Sequence, residues 1–161
     1  MAYSMKVEGI GELSRMLGKL GDAAPGVAAA SLYEGAGAMA DQVSQAVHGI
    51  ATEPFHYVRG GDKRKPSPEE KAILEAAPKG VAKFRKTGVK VDTSVGLANA
   101  GYAKLGNVTK PIPQIANAIN SGTSFMQKQP FFRKAFSQGR GPATEKIEAG
   151  IRKRIEELMT E

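Results

Sequence analysis

The stretch that decides the fold is residues 25–50, PGVAAASLYEGAGAMADQVSQAVHGI, which carries apolar side chains at helical spacing. The repeating positions, at offsets of 0, 4, 7, 8, 11, 14, 15 and 18, are Leu32, Ala36, Met39, Ala40, Val43, Ala46, Val47 and Ile50. Gly35, Gly37 and the many alanines leave this helix with little side-chain bulk, and each glycine costs about 1 kcal/mol of helix propensity. Close packing on a flat partner would compensate. We therefore expect a long helix over residues 24–50, with Leu32, Met39, Val43 and Val47 lying on a sheet that contains residues 89–95.

Two short elements are expected before this helix. Residues 5–7 suit an opening strand, and residues 11–20 suit a short N-terminal helix because their apolar side chains recur at helical spacing. Gly21 ends that helix, and Asp22 followed by Pro25 begins the long one. The sequence thus predicts a strand and a short helix ahead of the long helix.

The chain after residue 50 loses its periodicity. Residues 51–66 contain Pro54, Gly60 and Gly61, which predicts an exposed loop. Residues 52–66 are expected to be mobile in the isolated subunit and to become ordered only against a partner. Ser67, Pro68 and Glu70 form the capping-box pattern that begins a short helix. Residues 89–95 alternate between apolar and polar side chains and predict a strand, and residues 102–105 predict a weaker one.

The C-terminal part is expected to hold a third strand and two helices. Residues 115–121 favour a strand, although one helical turn would also suit them. Pro130 opens a helix that places Phe132 and Phe136 on one face, and residues 139–142 interrupt it. Ile147, Ile151, Ile155 and Leu158 follow at offsets of 0, 4, 8 and 11 and predict an amphipathic C-terminal helix.

Composition limits the class of protein. The chain has 161 residues, enough for a single domain, and it has no cysteine, which excludes disulfides and thiol nucleophiles. Its two histidines, His48 and His56, lack the spacing of a metal pair. No nucleophile motif is present, and no stretch has the length and apolarity of a membrane span. We expect no enzyme, no cofactor, no metal site and no membrane partner.

Positive charge is concentrated in the middle of the chain. The net charge is +7, and residues 51–110 hold 12 basic and 6 acidic side chains. A phosphate cradle at Gly60 and Gly61, beside Lys63, Arg64 and Lys65, lacks the phosphate-loop pattern, so a solvated loop is favoured. The basic run Lys79, Lys83, Arg85, Lys86 and Lys90 encloses Phe84. That combination leaves a nucleic-acid-binding module as the alternative function.

Four of the six phenylalanines lie within 12 residues, at Phe125, Phe131, Phe132 and Phe136. A core anchor for the last helix is favoured over a base-stacking platform. Pro130 beside Phe131 also suits a stiff apolar knob for a neighbouring subunit, since such a side chain loses little entropy on binding. On that interpretation, removal of Phe131 would leave the monomer folded.

The segment that contains these phenylalanines, GTSFMQKQPFFRKA at residues 122–135, resembles the signature of the tail-component family of long-tailed bacteriophages. In that family a Gly-Thr is followed by a Pro-Phe eight residues after the glycine, and then by a helix. Gly122, Thr123, Pro130 and Phe131 have this spacing. Thr87 and Gly88 match the family's Thr-Gly turn. The resemblance covers residues 5–50 and 86–158, so residues 52–87 read as a loop and short-helix insertion in a single domain spanning residues 1–161.

The resemblance implies an α+β fold in which one long helix packs on a small antiparallel sheet. It also implies a tail-completion or head–tail joining protein, which forms a ring at the head-proximal end of the tail, expected to be a hexamer. The partners would be further copies, neck, connector and tail-tube or tail-terminator proteins, and DNA in the lumen. The protein would reside in the virion neck, and in the host cytoplasm during assembly. The expected partner contacts are Gly122, Thr123, Pro130, Phe131, Phe132 and Arg133, with electrostatic contacts from Lys63, Arg64, Lys65, Lys83, Arg85 and Lys86.

Overall fold

The computed structural model describes residues 10–87, 90–97 and 100–160, with side chains described for residues 18–80, 93–97 and 100–160. In chain order the elements are α1 (Ile10–His48), α2 (Pro68–Ala76), β1 (Lys79–Thr87), β2 (Lys90–Leu97), β3 (Tyr102–Leu105), β4 (Val108–Pro111), α3 (Ile112–Ser121) and α4 (Phe131–Thr160). Strands β1 and β2 form one antiparallel pair, and β3 and β4 form another. The fold is α+β, with two long helices packed together and two small sheets. The expected strand at residues 5–7 and Gly88 lie outside the described residues.

The two long helices are continuous, so both predicted interruptions are wrong. Helix α1 runs through Gly21 and Pro25, and α4 runs through Gly139 and Pro142. In α4, Gly139, three residues before the proline, and Ala143, directly after it, are both buried. Tertiary packing therefore holds both sides of Pro142 in helical geometry and overrides the local preference to end there.

The small residues of α1 pack mainly against α4, which corrects the expectation of a flat sheet as their partner. A Cβ atom added to Gly35 would collide with the Ile147 side chain. One added to Gly139 would lie 2.7 Å from Met39 Sδ. The sheet takes a lesser share of this face: Val95 of β2 packs against Ala38, Met39 and Ala143. Glycine thus allows two helices to approach closely here.

Short elements close the core around the second half of α1. Helix α2 has the predicted cap, because Glu70 N donates to Ser67 Oγ at 3.2 Å and Ser67 N donates to Glu70 Oε2 at 2.7 Å. The strand favoured for residues 115–121 is wrong, since α3 is a helix that buries Ile112, Ile115, Ala116 and Ile119. Val43, Val47, Leu74 and Ile119 are fully buried in this core.

Burial divides the described side chains into two regions. The base comprises the described residues from 35 to 143, which include the second half of α1, the first part of α4 and the elements between them. It contains every buried apolar side chain that the structure describes. The arm comprises residues 18–34 of α1 and residues 144–160 of α4. Its only buried residues are Ser31 and Gly150. Of these two regions, only the base has an apolar interior.

Candidate assembly surface

The segment at residues 122–130 forms the junction between α3 and α4. Gly122 ends α3 with φ +77°, and a Cβ atom there would lie 3.1 Å from Lys128 N, so this position requires glycine. Thr123 Oγ1 accepts hydrogen bonds from Met126 N at 3.0 Å and from Phe125 N at 3.3 Å. Gln129 N then donates to Ile119 O at 2.8 Å and returns the chain to α3. The Gly-Thr to Pro-Phe spacing thus encodes a compact turn between two helices.

The junction is joined to the loop that follows α1. Arg64 N donates to Phe125 O at 3.0 Å, and Gln127 N donates to Arg64 O at 2.8 Å, which makes a short parallel bridge. The Gln129 side chain accepts from Ala51 N at 2.9 Å and donates to Ala51 O at 2.7 Å. Both ends of residues 51–66 are therefore fixed on the base, although the loop has no regular secondary structure.

Arg64 is buried at the centre of this arrangement. Its guanidinium donates to both carboxylate oxygens of Glu70, at 2.7 and 2.8 Å. Burial opposes ionisation of Glu70, but the hydrogen bonds from Arg64 and Ser67 outweigh it and lower the pKa of Glu70. The hydrogen bond to Glu70 raises the pKa of Arg64. Glu70 thus neutralises the charge of Arg64 inside the protein, so the expectation that Arg64 makes an electrostatic contact with a partner is corrected. Of the two neighbouring lysines, Lys63 is exposed and Lys65 is half-buried.

Three exposed aromatic residues are linked to Arg64, either directly or through one another. Its Cζ lies 4.8 Å from the centroid of the Phe55 ring, and Tyr57 meets Phe55 edge-on with 5.3 Å between ring centroids. Phe125 lies on the turn between α3 and α4, and its backbone carbonyl accepts a hydrogen bond from Arg64 N. Phe55, Tyr57 and Phe125 remain 54%, 89% and 51% exposed. We call these three rings the aromatic surface; it combines apolar area with an ordered support.

This surface is one part of an unusual distribution of aromatic residues. The structure describes eight aromatic side chains, and six of them are exposed: Tyr33, Phe55, Tyr57, Tyr102, Phe125 and Phe136. Phe55 and Tyr57 are not among the contact residues predicted from the sequence. Two aromatic residues in a loop rich in proline and glycine could have indicated an exposed binding surface, because such loops lie on the protein surface.

The expected partner contacts fall into three groups. Phe131 is 3% exposed in the core, so the expectation of an apolar knob is corrected: its ring packs inward, with its centroid 4.5 Å from that of Phe132. Gly122, Thr123 and Phe132 are half-buried, while Pro130 and Arg133 are exposed. Lys83, Arg85 and Lys86 lie on β1, where their Cα partners on β2 are Ser94, Asp92 and Val91. Their side chains lie outside the described part.

The histidines make local contacts. His48 Nδ1 lies 2.9 Å from Glu75 Oε1, and His56 Nδ1 lies 3.1 Å from Pro54 O. Within the described residues, no group of three or more acidic or histidine side chains is placed to hold a metal ion. No helix in that part of the chain has the length and apolarity to cross a membrane.

Comparisons of the chain with protein-family models, with curated proteins and with solved structures find no match.

Proposed function

We propose that this chain is a structural subunit of a bacteriophage neck, forming a ring at the head-proximal end of the tail and joining or completing the tail for head attachment. The observation that carries the proposal is the outward placement of six of eight described aromatic side chains. Aromatic residues are enriched at the centres of protein interfaces, where they supply much of the binding energy. A chain that exposes most of its described aromatic side chains is therefore suited to bind other subunits.

The aromatic surface is suited to protein partners by its chemistry. Glu70 neutralises the charge of Arg64 beneath the surface, while exposed Arg59 and Lys63 lie nearby in the same loop. Basic groups at a rim steer docking onto an acidic neighbour and speed association more than they tighten it. In this proposal the neighbours are further copies and the adjoining neck, connector and tail-tube or tail-terminator proteins.

A ring follows when one surface of each copy meets a different surface of the next and the rotation closes. Six copies remain our expectation, from the family resemblance of residues 122–135. In that role the junction at residues 122–130 is a structural support, which holds Phe125 in place. The subunit would act in the virion neck without catalysis, after assembly in the host cytoplasm.

One observation favours the nucleic-acid alternative. The basic residues Lys79, Lys83, Arg85 and Lys86 share one strand, β1, of a two-stranded antiparallel ribbon. Such ribbons fit the major groove of DNA. A DNA-binding ribbon would lose affinity steeply with added salt, because binding releases counterions from the phosphates.

A pair of exposed substitutions tests the proposal. Tyr57→Ala with Phe125→Ala should leave the melting temperature of the purified chain nearly unchanged, while infected cells should accumulate separate heads and tails in electron micrographs. Phe136→Ala, an exposed ring on α4, is the matched control and should give joined particles. Joined particles from the double variant, or a gene disruption that leaves particles intact and alters DNA metabolism, would overturn the proposal.

A further inference from the structure

A small pocket lies beside the turn between α3 and α4. It has a volume of about 160 Å³, and its apolar lining residues come from β3, from α3 and from the turn itself: Leu105, Ile115, Ala118, Phe125 and Met126. Lys110 and Gln114 also line it, and both are exposed, so the pocket opens to solvent. We call it the turn pocket. Phe125 belongs both to this pocket and to the aromatic surface, so the two features are continuous.

The buried polar groups of the pocket are bonded within the chain. Arg64 and Glu70, which also line it, form two hydrogen bonds with each other, at 2.7 and 2.8 Å. Across the described residues, every buried side-chain nitrogen and oxygen atom has a hydrogen-bond partner. An apolar group can therefore enter without depriving a polar group of its partner, and its removal from water is favourable. An engineered apolar cavity of roughly 150 Å³ binds benzene, so the turn pocket has the size for one phenylalanine or leucine side chain.

The charge around the turn pocket is positive. Residues 93–144, which supply all the lining residues except Arg64 and Glu70, contain six basic side chains and no aspartate or glutamate. Glu70 is bonded to Arg64, and none of the salt bridges among the described residues includes Lys110. The uncompensated charge at the pocket is therefore that of Lys110. Carboxylates beside the apolar group of an occupant would complement it.

We propose that the turn pocket receives one apolar side chain, of the size of phenylalanine or leucine, from an acidic segment of a partner protein. The apolar side chain fills the pocket, and the carboxylates beside it in the segment face Lys110. A nucleic-acid strand also supplies negative charge, but its bases have polar edges that would lose their hydrogen bonds in this pocket. The chemistry of the occupant follows from the pocket alone, whereas its assignment to an adjoining neck protein rests on the proposed function.

A short peptide measures this recognition in purified protein. The probe has blocked ends and one phenylalanine flanked by two glutamates on each side. Its titration should shift the NMR signals of the methyl groups of Leu105, Ile115 and Met126 until they saturate. Alanine in place of the phenylalanine should weaken binding about tenfold or more, because a buried aromatic anchor supplies much of the affinity. Lysines in place of the glutamates should also weaken binding, and added salt should reduce that difference.

Two substitutions in the protein test the apolar and the charged part of the pocket separately. Ala118→Leu enlarges a half-buried lining residue and should lower the affinity for the glutamate peptide about tenfold, because the new side chain occupies the pocket. Asn117→Leu adds a leucine at the adjacent exposed position, outside the lining, and is its control. Lys110→Glu should lower the affinity about fivefold and make the lysine peptide the better ligand. Lys134→Glu, at an exposed lysine outside the lining, is the control for the charge.

Four results would overturn the proposal. They are methyl signals that stay in place at millimolar peptide, equal binding of the alanine peptide, equal binding of the lysine peptide, and wild-type affinity in both Ala118→Leu and Lys110→Glu. Loss of peptide binding in Tyr57→Ala would place the peptide on the aromatic surface instead. Single-stranded DNA that moves the same methyl signals at lower concentration than the peptide would make the partner a nucleic acid.

Electron micrographs of infected cells separate this proposal from the neck function. Ala118→Leu should give separate heads and tails, as expected if the partner is an adjoining neck protein. Peptide binding by the wild type together with joined particles from Ala118→Leu would overturn only the assignment to a neck partner. Absence of peptide binding would overturn the pocket itself, whatever the particles show.

Discussion

The base and the arm are built from the same two long helices, yet only the base has a core. In the base, α1 meets α2, α4, β1 and β2, and Val43, Val47, Leu74 and Ile119 are fully buried. In the arm α1 and α4 have chiefly each other, and only Ser31 and Gly150 are buried. Because burial of apolar area is the main favourable contribution to folding, the base supplies most of the stability of the monomer. The apolar side chains of the arm, such as Val27 and Ile151, are only half-buried.

The same contrast holds for ion pairs. Arg64 and Glu70 in the base are paired at 2.7 Å with side chains 7% and 8% exposed. Arg154 and Glu34 in the arm are paired at 2.6 Å, but their side chains are 26% and 49% exposed. The Arg–Glu pair of the base is therefore a buried structural contact, whereas the Arg–Glu pair of the arm is screened by solvent.

The largest difference between the regions is expected for a buried charge. Val43→Asp should lower the free energy of unfolding by on the order of 5 kcal/mol, enough to unfold a marginal domain, because the carboxylate has no partner in the core. Val27→Asp makes the same change at a half-buried arm position and should cost far less in dilute solution. Urea unfolding of both variants measures the difference. Equal losses would remove the distinction between base and arm.

A large effect is also expected for Phe131. Phe131→Ala should cost about 3–5 kcal/mol, because it leaves a cavity in the core between α1, α3 and α4. Phe136→Ala, on the same helix but exposed, should change stability by no more than about 0.5 kcal/mol. Thermal unfolding followed by circular dichroism compares the two. A Phe131→Ala protein as stable as the wild type would return that ring to the surface role first expected of it.

The two ion pairs provide an intermediate effect. Glu70→Gln should cost on the order of 3 kcal/mol, because it leaves the buried Arg64 without its counter-charge. Glu34→Gln should cost much less, and added salt should diminish its effect. Urea unfolding at low and high salt measures both. A salt-sensitive loss in Glu70→Gln would show that its pair is accessible to solvent.

The pH dependence of stability follows from the same pair. The folded state lowers the pKa of Glu70, so its stabilisation is present above the usual range of a glutamate and is lost as the pH falls through the folded-state pKa. Unfolding free energies between neutral pH and about pH 3 should therefore fall more steeply in the wild type than in Glu70→Gln. Parallel curves would contradict the assignment.

Two local signals in the sequence predicted local structure correctly. The capping box at Ser67 and Glu70 is present in full, and the described part of the strand predicted at residues 89–95 lies in β2. Helix α3 was open to prediction as well. Ile112, Ile115, Ala116 and Ile119 recur at helical spacing, and Pro113 lies in the first turn, where proline suits a helix.

What the sequence analysis missed depends on contacts distant in the chain. Pro142 ends a helix on local grounds, but buried Gly139 and Ala143 hold it within α4 against α1. Arg64 belongs to a basic run in the sequence, and only the fold places Glu70 against it. Phe125 and Phe131 are the same residue type and lie six residues apart, yet the first is exposed and the second is buried. The turn between α3 and α4 causes this difference.

The smallest expected effect concerns two glycines of α1 that lie two residues apart. Alanine at either position improves helix propensity by up to about 1 kcal/mol. At Gly37 a Cβ atom meets nothing within 4 Å, so Gly37→Ala should stabilise the monomer by that amount. At Gly35 the new methyl group collides with Ile147 and lies 3.0 Å from Ala143 O, and overpacking costs about 1–3 kcal/mol. Gly35→Ala should therefore destabilise the chain where Gly37→Ala stabilises it, as measured by paired urea titrations. Stabilisation by both would mean that α1 and α4 separate easily at the boundary of base and arm, and that Ile147 moves aside without loss.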